Sequence, residues 1–84
     1  MYISIGPTAT IRKKDIVGIF DLDTATATKP TKDFLIRSEQ SGLTRSAGGD
    51  LPKSFILTRS GEVYFSPYAA RILRIRAKKI KNLF

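Results

Sequence analysis

In Asp15-Ile16-Val17-Gly18-Ile19-Phe20-Asp21, five consecutive apolar or small residues lie between two carboxylates. A short continuous run of β-branched and aromatic residues is typical of a strand that is covered on both faces. We therefore predict that this stretch is a strand in the middle of a sheet. Gly18 indicates a bulge or a close approach by another part of the chain, and a crossing helix is the simplest explanation for the close approach.

The composition predicts one small basic domain. The chain has 84 residues, 15 Lys and Arg against 7 Asp and Glu, a formal net charge of +8, and neither Cys nor His. A chain of this length leaves much of its surface exposed, so association of several copies would stabilise it. The excess of cations predicts a polyanionic partner. Because the sequence contains neither a signal-like start nor a long apolar run, we expect a cytoplasmic protein without a membrane span.

The residue types that carry most enzyme chemistry are scarce in this chain. Without Cys and His, neither a thiolate zinc site nor an imidazole base can form. The carboxylates are scattered along the chain and show no paired spacing for acid and base catalysis. We therefore expect no catalytic residue, no cofactor and no metal site, and we interpret the chain as a binding protein rather than an enzyme.

The other strands are predicted from residue alternation and turn chemistry. Residues 2–5 and 8–11 form two short strands ahead of the opening stretch. Residues 54–58 and 62–65 form a hairpin, because Gly61 between them supplies the positive φ that a tight turn needs. Together with residues 15–21, these segments predict a small, mostly antiparallel sheet of four to five strands.

Two helices complete an α+β fold. The first spans about residues 30–41, since hydroxyl caps lie at its start, Pro30 suits its first turn and Gly42 follows it. The second spans about residues 67–82 and begins after Ser66, with a proline in its first position. We predict a single domain over residues 1–84, in which residues 67–84 form a basic C-terminal helix.

The connections between these elements are polar. Residues 24–28 are predicted to form a loop with little to bury. The loop over residues 43–51 contains Gly48-Gly49, and glycine-rich backbone can cradle a phosphate group. It is not a P-loop, because no glycine precedes Lys53-Ser54. An ordinary mobile connection and a phosphate contact both remain open for this loop.

The cations are concentrated in two places. Arg12-Lys13-Lys14 lies just ahead of the predicted central strand, where a solvated turn would also explain it. The helix dipole favours cations near a helix C-terminus, which accounts for part of the tail's charge. Six cations without a carboxylate exceed that need and favour an electrostatic partner over a merely solvated face. These tail residues are Arg71, Arg74, Arg76, Lys78, Lys79 and Lys81.

Two classes of function fit these observations. The first is a nucleic-acid-binding module that contacts phosphates and carries no motif for reading bases. Its candidate binding residues are Lys14, Lys53, Lys13, Arg12 and Arg45. The alternative is a protein-interaction or membrane-surface adaptor that uses the basic C-terminal helix and does not bind DNA directly.

Five blocks between residue 2 and about residue 77 occur together in a fixed order. They are Tyr2-Ile3-Ser4-Ile5-Gly6, Asp15-Ile16-Val17-Gly18-Ile19-Phe20-Asp21, Phe34-Leu35, Pro52-Lys53-Ser54 and Tyr64-Phe65-Ser66-Pro67. In this pattern the chain resembles the RemB branch of the RemA/RemB family, small bacterial regulators of extracellular-matrix (biofilm) genes. The second block is the most specific of the five.

The resemblance implies an α+β subunit that can assemble into rings and regulates transcription by binding double-stranded DNA. It also implies another regulator of the same family as a possible partner. The basic positions of the RemA branch are matched most closely here by Lys14 and Lys53. Asp15 aligns with the first RemA arginine, and residues 48–52 replace a cluster of arginines. These departures imply DNA binding that is weaker, differently placed, or replaced by a role as partner to another regulator.

Overall fold

The computed structural model describes residues 1–25 and 27–81, with side chains as far as residue 78. The fold class is α+β, as predicted. The elements in chain order are β1 (Tyr2–Gly6), β2 (Ala9–Arg12), a 3₁₀ turn (Lys13–Asp15), β3 (Ile16–Asp21), α1 (Leu22–Ala25), α2 (Lys29–Gln40), β4 (Thr44–Ser46), β5 (Ser54–Thr58), β6 (Val63–Ser66) and α3 (Ala70–Lys81).

The strands form two sheets rather than the single sheet predicted. β1 and β2 form an antiparallel hairpin of their own. The remaining strands form a four-stranded sheet in the order β3-β5-β6-β4. The β3–β5 and β5–β6 pairs are antiparallel, whereas β4 pairs parallel with β6. The predicted hairpin over residues 54–65 is confirmed, and Gly61 in its turn has a φ of 90°.

β3 lies at an edge of the sheet, so the prediction of a central strand covered on both faces was wrong. Within the described residues only β5 pairs with it, and the side chains of Val17 and Phe20 are 60% and 39% exposed. Ile19 packs against the core, while the ring of Phe20 stacks on that of Phe55 with 5.0 Å between the centroids. The apolar run is therefore explained by one buried face and one aromatic contact.

Gly18 marks both a bulge and a close approach. The register between β3 and β5 shifts between Ile16 and Gly18, which is the signature of a bulge. A Cβ on Gly18 would lie 2.7 Å from the ring of Phe20, two residues further along the same strand. The close neighbour is thus this ring rather than a crossing helix, and any larger residue would displace it.

The core lies between the β1–β2 hairpin, the four-stranded sheet and α3. Helix α3 contacts both β3 and β1, so the tail helix packs its apolar face inward. The buried cluster consists of Ile3, Ile5, Ile11, Ala47, Ile56 and Leu73. Ile3 and Ile5 are two residues apart in β1 and therefore point to the same side of the strand.

Two buried serines join the hairpin, the sheet and the entry to α3. The hydroxyl of Ser66 donates a hydrogen bond to the carbonyl of Ile5 in β1 and accepts one from the amide of Tyr68 at 3.0 Å. The hydroxyl of Ser54 in β5 donates to the carbonyl of Tyr68 at 2.8 Å. Because both serines are fully buried, these contacts satisfy polar groups that water cannot reach.

The helix ends follow from these local bonds. Helix α2 agrees with its prediction to within one residue, and Gly42 after it has the left-handed φ of 71° expected at a helix C-terminus. Helix α3 begins at Ala70 rather than at residue 67, and Ser66 bonds the Tyr68 amide in the irregular turn ahead of the helix. The predicted end near residue 82 lies outside the described residues.

Two short elements lie where the sequence predicts loops. Helix α1 replaces part of the predicted loop over residues 24–28, because the carboxylate of Asp21 accepts a hydrogen bond from the amide of Thr24 at 3.1 Å and caps the turn. Strand β4 occupies the start of the predicted loop over residues 43–51 and is stabilised by its parallel pairing with β6.

We predict that Ser66→Ala lowers the free energy of unfolding by about 1–3 kcal/mol, because it leaves the Ile5 carbonyl and the Tyr68 amide buried without their partner. Urea denaturation followed by circular dichroism measures this change. Ser41→Ala, at an exposed position after α2, is the matched control and should change stability by less than about 0.5 kcal/mol. Equal stability of the two variants would contradict the structural role of Ser66.

Candidate nucleic-acid interface

Three of the predicted binding residues lie together at one end of the β1–β2 hairpin. Arg12 is the last residue of β2 and faces Tyr2 across the hairpin. Lys13 and Lys14 begin the 3₁₀ turn, and the amide of Lys13 donates to the carbonyl of Met1 at 2.9 Å. These five residues line an open groove, so the cation triplet borders a concave surface with an exposed aromatic ring.

The fold adds Arg59 to this end of the molecule. The amide of Arg59 donates to the carbonyl of Asp15 at 2.8 Å, which places the β5–β6 turn beside the 3₁₀ turn. In the sequence, Arg59 belongs to the predicted hairpin turn between residues 54–58 and 62–65, and nothing there indicates a binding role. Antiparallel pairing of β3 with β5 would have indicated its position, but that pairing was not predicted. We call Arg12, Lys13, Lys14 and Arg59 the basic end.

Asp15 cancels only part of this charge. Its carboxylate lies 3.1 Å from Nε of Arg12, and the two form an ion pair. Lys13, Lys14 and Arg59 have no ion-pair partner among the residues whose side chains are described. Asp15 is therefore compensated within the subunit, and among the described side chains the basic end keeps three cations without an ion-pair partner.

Arg45 is engaged elsewhere. It lies in β4, where its guanidinium donates to the carbonyls of Gly42 and Thr44 at 2.8 and 3.0 Å. The same group forms an ion pair of 3.2 Å with Glu62. These contacts fix the short parallel strand to its surroundings, so a phosphate would have to compete with an internal carboxylate for this arginine.

Lys53 lies at the opposite end of the β3–β5 ladder from Lys14. It immediately precedes Ser54, which pairs with Asp21 at the C-terminal end of β3, whereas Lys14 precedes the N-terminal end. The six residues of β3 span about 17 Å between these ends. Within one subunit the structure therefore does not bring Lys14 and Lys53 together, and the nearest paired position to Lys53 carries a carboxylate.

Two arginines of the tail helix bond to the strands beneath it. Arg74 donates from Nη2 to the carbonyl of Ile19 in β3 at 3.0 Å. Arg76 donates from Nη1 to the carbonyl of Ser4 in β1 at 2.8 Å, and its guanidinium lies 4.9 Å from the ring centroid of Tyr68. These contacts hold α3 across the two sheets, so part of the tail's charge has a structural role.

The rest of the tail presents charge to solvent. Arg71 and Lys78 are exposed, while the side chains of Lys79 and Lys81 lie outside the described part of the chain. Helix α3 starts near the Lys53 end of the sheet and crosses β3 at Ile19, so its last turns are directed toward the basic end.

In the part of the chain that the structure describes, no helix is both long enough and apolar enough to cross a membrane.

The glycine pair in the loop before β5 serves packing. Gly48 and Gly49 have φ values of 101° and 85°, and the amide of Gly48 already donates to the hydroxyl of Ser46 at 3.1 Å. A Cβ on Gly49 would lie 2.7 Å from Cβ of Pro67. This geometry favours a close-packed connection over a phosphate cradle.

Comparison with known proteins yields one informative relative. No family model matches the chain. The chain is 31% identical over 78 residues to the extracellular matrix regulatory protein B of Bacillus subtilis (strain 168), an alignment that covers 93% of this chain and 91% of the relative. The chain belongs to the extracellular matrix regulatory protein B (RemB) family. The resemblance inferred from the five sequence blocks is thereby confirmed. In this RemB-family chain, the cations of the basic end lie together.

We predict that Arg76→Met lowers the free energy of unfolding by about 1 kcal/mol, because it removes the hydrogen bond to Ser4 and the contact with Tyr68. Arg71→Met removes the same charge from an exposed position of α3 and should stay within about 0.5 kcal/mol of the parent protein. Urea denaturation of both variants distinguishes them. A larger loss for Arg71→Met would contradict the distinction between Arg76, which stabilises the fold, and Arg71, which is exposed.

Proposed function

We propose that this protein is a cytoplasmic regulator of extracellular-matrix genes and that it binds double-stranded DNA mainly through phosphate contacts from its basic end. The name of its relative supports the regulatory part of the proposal. The observation that carries the DNA-binding part is the convergence of Lys13, Lys14 and Arg59, which have no ion-pair partner among the described side chains.

Phosphate contacts suit such a surface. Lysine and arginine side chains at an exposed edge can reach backbone phosphates without a shaped pocket, and most of the binding free energy comes from counterions released by the DNA. Three cations account for at most about three phosphates, which gives a salt slope near −2.7. A single subunit is therefore expected to bind DNA weakly and with little sequence preference.

Assembly of several subunits would strengthen this binding. When linked subunits contact one duplex, each further contact forms at a high effective concentration, and the combined affinity rises by orders of magnitude. Lys53 fits this arrangement, because an exposed cation at the far end of one subunit can reach the DNA held by the basic end of a neighbour. A ring of identical subunits, or an assembly with another regulator of the family, would supply such neighbours.

The adaptor alternative receives less support from α3. Ala70 and Leu73 are 1% and 0% exposed, so the face of α3 that carries them belongs to the core. Ile72 and Ile75 remain partly exposed among cations, at 37% and 55%. This apolar area is small for insertion into a bilayer, since membrane-surface helices commit a whole face to the lipid.

We predict that Lys14→Gln combined with Arg59→Gln weakens DNA binding and reduces the salt slope by about 1.8 for each subunit that contacts the duplex, because two phosphate contacts are lost. Fluorescence anisotropy of a labelled duplex, titrated at several potassium chloride concentrations, measures both quantities. Lys53→Gln, tested separately, should reduce the slope by about 0.9 if a neighbouring subunit contributes this residue.

The matched control for this experiment is Lys29→Gln combined with Lys32→Gln, which removes the same charge from the first turns of α2. Both lysines lie at the start of α2, whereas Leu43 follows its end. The carbonyl of Leu43 accepts a hydrogen bond from the amide of Val63, near the basic end, so the two lysines are about the length of α2 away from that end. The control should retain affinity and slope. If it weakens binding as much as the test variant, binding is diffuse and the basic end is not the site. If the parent assembly shows no binding at low salt, the adaptor alternative is preferred.

We predict that the purified protein is a homo-oligomer, because so short a chain buries a limited core and a single basic end offers few phosphate contacts. Size-exclusion chromatography with light scattering should give a mass that is a multiple of the subunit mass. The Lys14→Gln, Arg59→Gln variant should elute with the same mass, since both positions are exposed. A monomeric parent protein would contradict the proposed multi-subunit binding.

A further inference from the structure

The outer side of β3 carries backbone amides that no described strand pairs with. The amide of Leu22 donates to the carbonyl of Lys53 at 3.0 Å, so Leu22 faces β5. Inward and outward groups alternate along an antiparallel strand, and the amides of Ile19 and Asp21 therefore point away from β5. An edge of this kind is a template for a further strand.

One side of α3 brings cations next to this edge. Arg74 bonds to the outward carbonyl of Ile19 with its guanidinium and thereby covers the middle of the edge. Arg71 and Lys78 are three residues before and four residues after Arg74, so they share its side of α3. Both are exposed, and α3 contains no carboxylate to compensate them.

The same edge also exposes apolar surface. Val17 is 60% exposed and Phe20 is 39% exposed. Phe20 and Arg74 line a shallow groove with Asp21, Thr24 and Ala25 from the start of α1. Backbone donors, exposed apolar side chains and cations of α3 therefore occur on one surface, where the carboxylate of Asp21 already accepts a hydrogen bond from the amide of Thr24.

We propose that the outer edge of β3 binds an extended segment of a partner protein in which acidic and apolar residues alternate. The segment adds to the sheet as a strand, and its carbonyls accept from the amides of Ile19 and Asp21. One of its amides replaces the guanidinium of Arg74 as donor to the Ile19 carbonyl. The released guanidinium pairs with a carboxylate of the segment, and an apolar side chain packs on Phe20.

Charge favours this occupant over a symmetric pairing with the β3 edge of a second copy. Two β3 edges paired with each other would bring two rows of Arg71, Arg74 and Lys78 together, and like charges across an interface cost several kcal/mol. An acidic strand brings the opposite sign to the same row. This site is separate from the basic end, which lies beyond the N-terminal end of β3, so one subunit can hold DNA and an acidic protein segment together.

A short N-acetylated peptide of alternating valine and glutamate is the probe, and a peptide with lysine in place of glutamate is its control. We expect saturable binding of the acidic peptide in fluorescence anisotropy and slower hydrogen exchange at the amides of Ile19 and Asp21 in nuclear magnetic resonance spectra. The lysine peptide should bind at least about tenfold more weakly. The proposal is overturned if the acidic peptide does not bind or if it binds without protecting these two amides.

Two variants separate strand addition from general charge attraction. Arg74→Gln should weaken peptide binding about tenfold, whereas Arg37→Gln, an equal loss of charge on α2, should not. Val17→Glu places a carboxylate on the edge without touching α3 and should also weaken binding, while Val17→Thr should retain it. Equal losses for Arg74→Gln and Arg37→Gln would overturn the proposal. So would protection of both amides in the free protein that rises with its concentration, because a second copy would then hold the edge.

Discussion

The buried hydroxyl of Ser66 is the contact on which the arrangement of the two sheets depends. It bonds the carbonyl of Ile5 in the hairpin and the amide of Tyr68 in the chain that leads to α3. Because these groups are shut off from water, their pairing is stringent and fixes one geometry. Helix α3 follows at Ala70 and lies across the sheets, so that Arg74 reaches the carbonyl of Ile19.

The direction of α3 in turn divides the protein's positive charge. Arg74 and Arg76 bond to backbone carbonyls of β3 and β1, whereas Arg45 is tied to β4 and Glu62. Cations of this kind already donate to carbonyls of the fold and are less available to a polyanion such as DNA. Lys13, Lys14 and Arg59 of the basic end differ, because none of them forms an ion pair among the described side chains. Net charge alone therefore overstates the surface available to a polyanion.

The features predicted correctly from the sequence depend on local chemistry, and those missed depend on long-range pairing. The hairpin around Gly61 follows from turn residues that act within a few positions. The parallel pairing of β4, and the edge position of β3, depend on segments far apart in the chain, which periodicity does not reveal. The site shows the same division, since the cation triplet is contiguous whereas Arg59 joins it only through the pairing of β3 with β5. The separation of Lys14 from Lys53 has the same origin.

The composition of β3 remains unusual for an edge. Edge strands are normally protected by charged side chains of their own, by proline or by bulges, yet between Asp15 and Asp21 this strand carries no charge. Two features protect this edge. One is the bulge at Gly18, and the other is the guanidinium of Arg74 in α3, which bonds to the carbonyl of Ile19. A hydrogen bond from an exposed arginine exchanges readily with a competing donor, because its net contribution is small. β3 has the composition of a buried strand, and the guanidinium of Arg74 that covers its edge can be displaced. The strand is therefore suited to pairing with a strand of another chain.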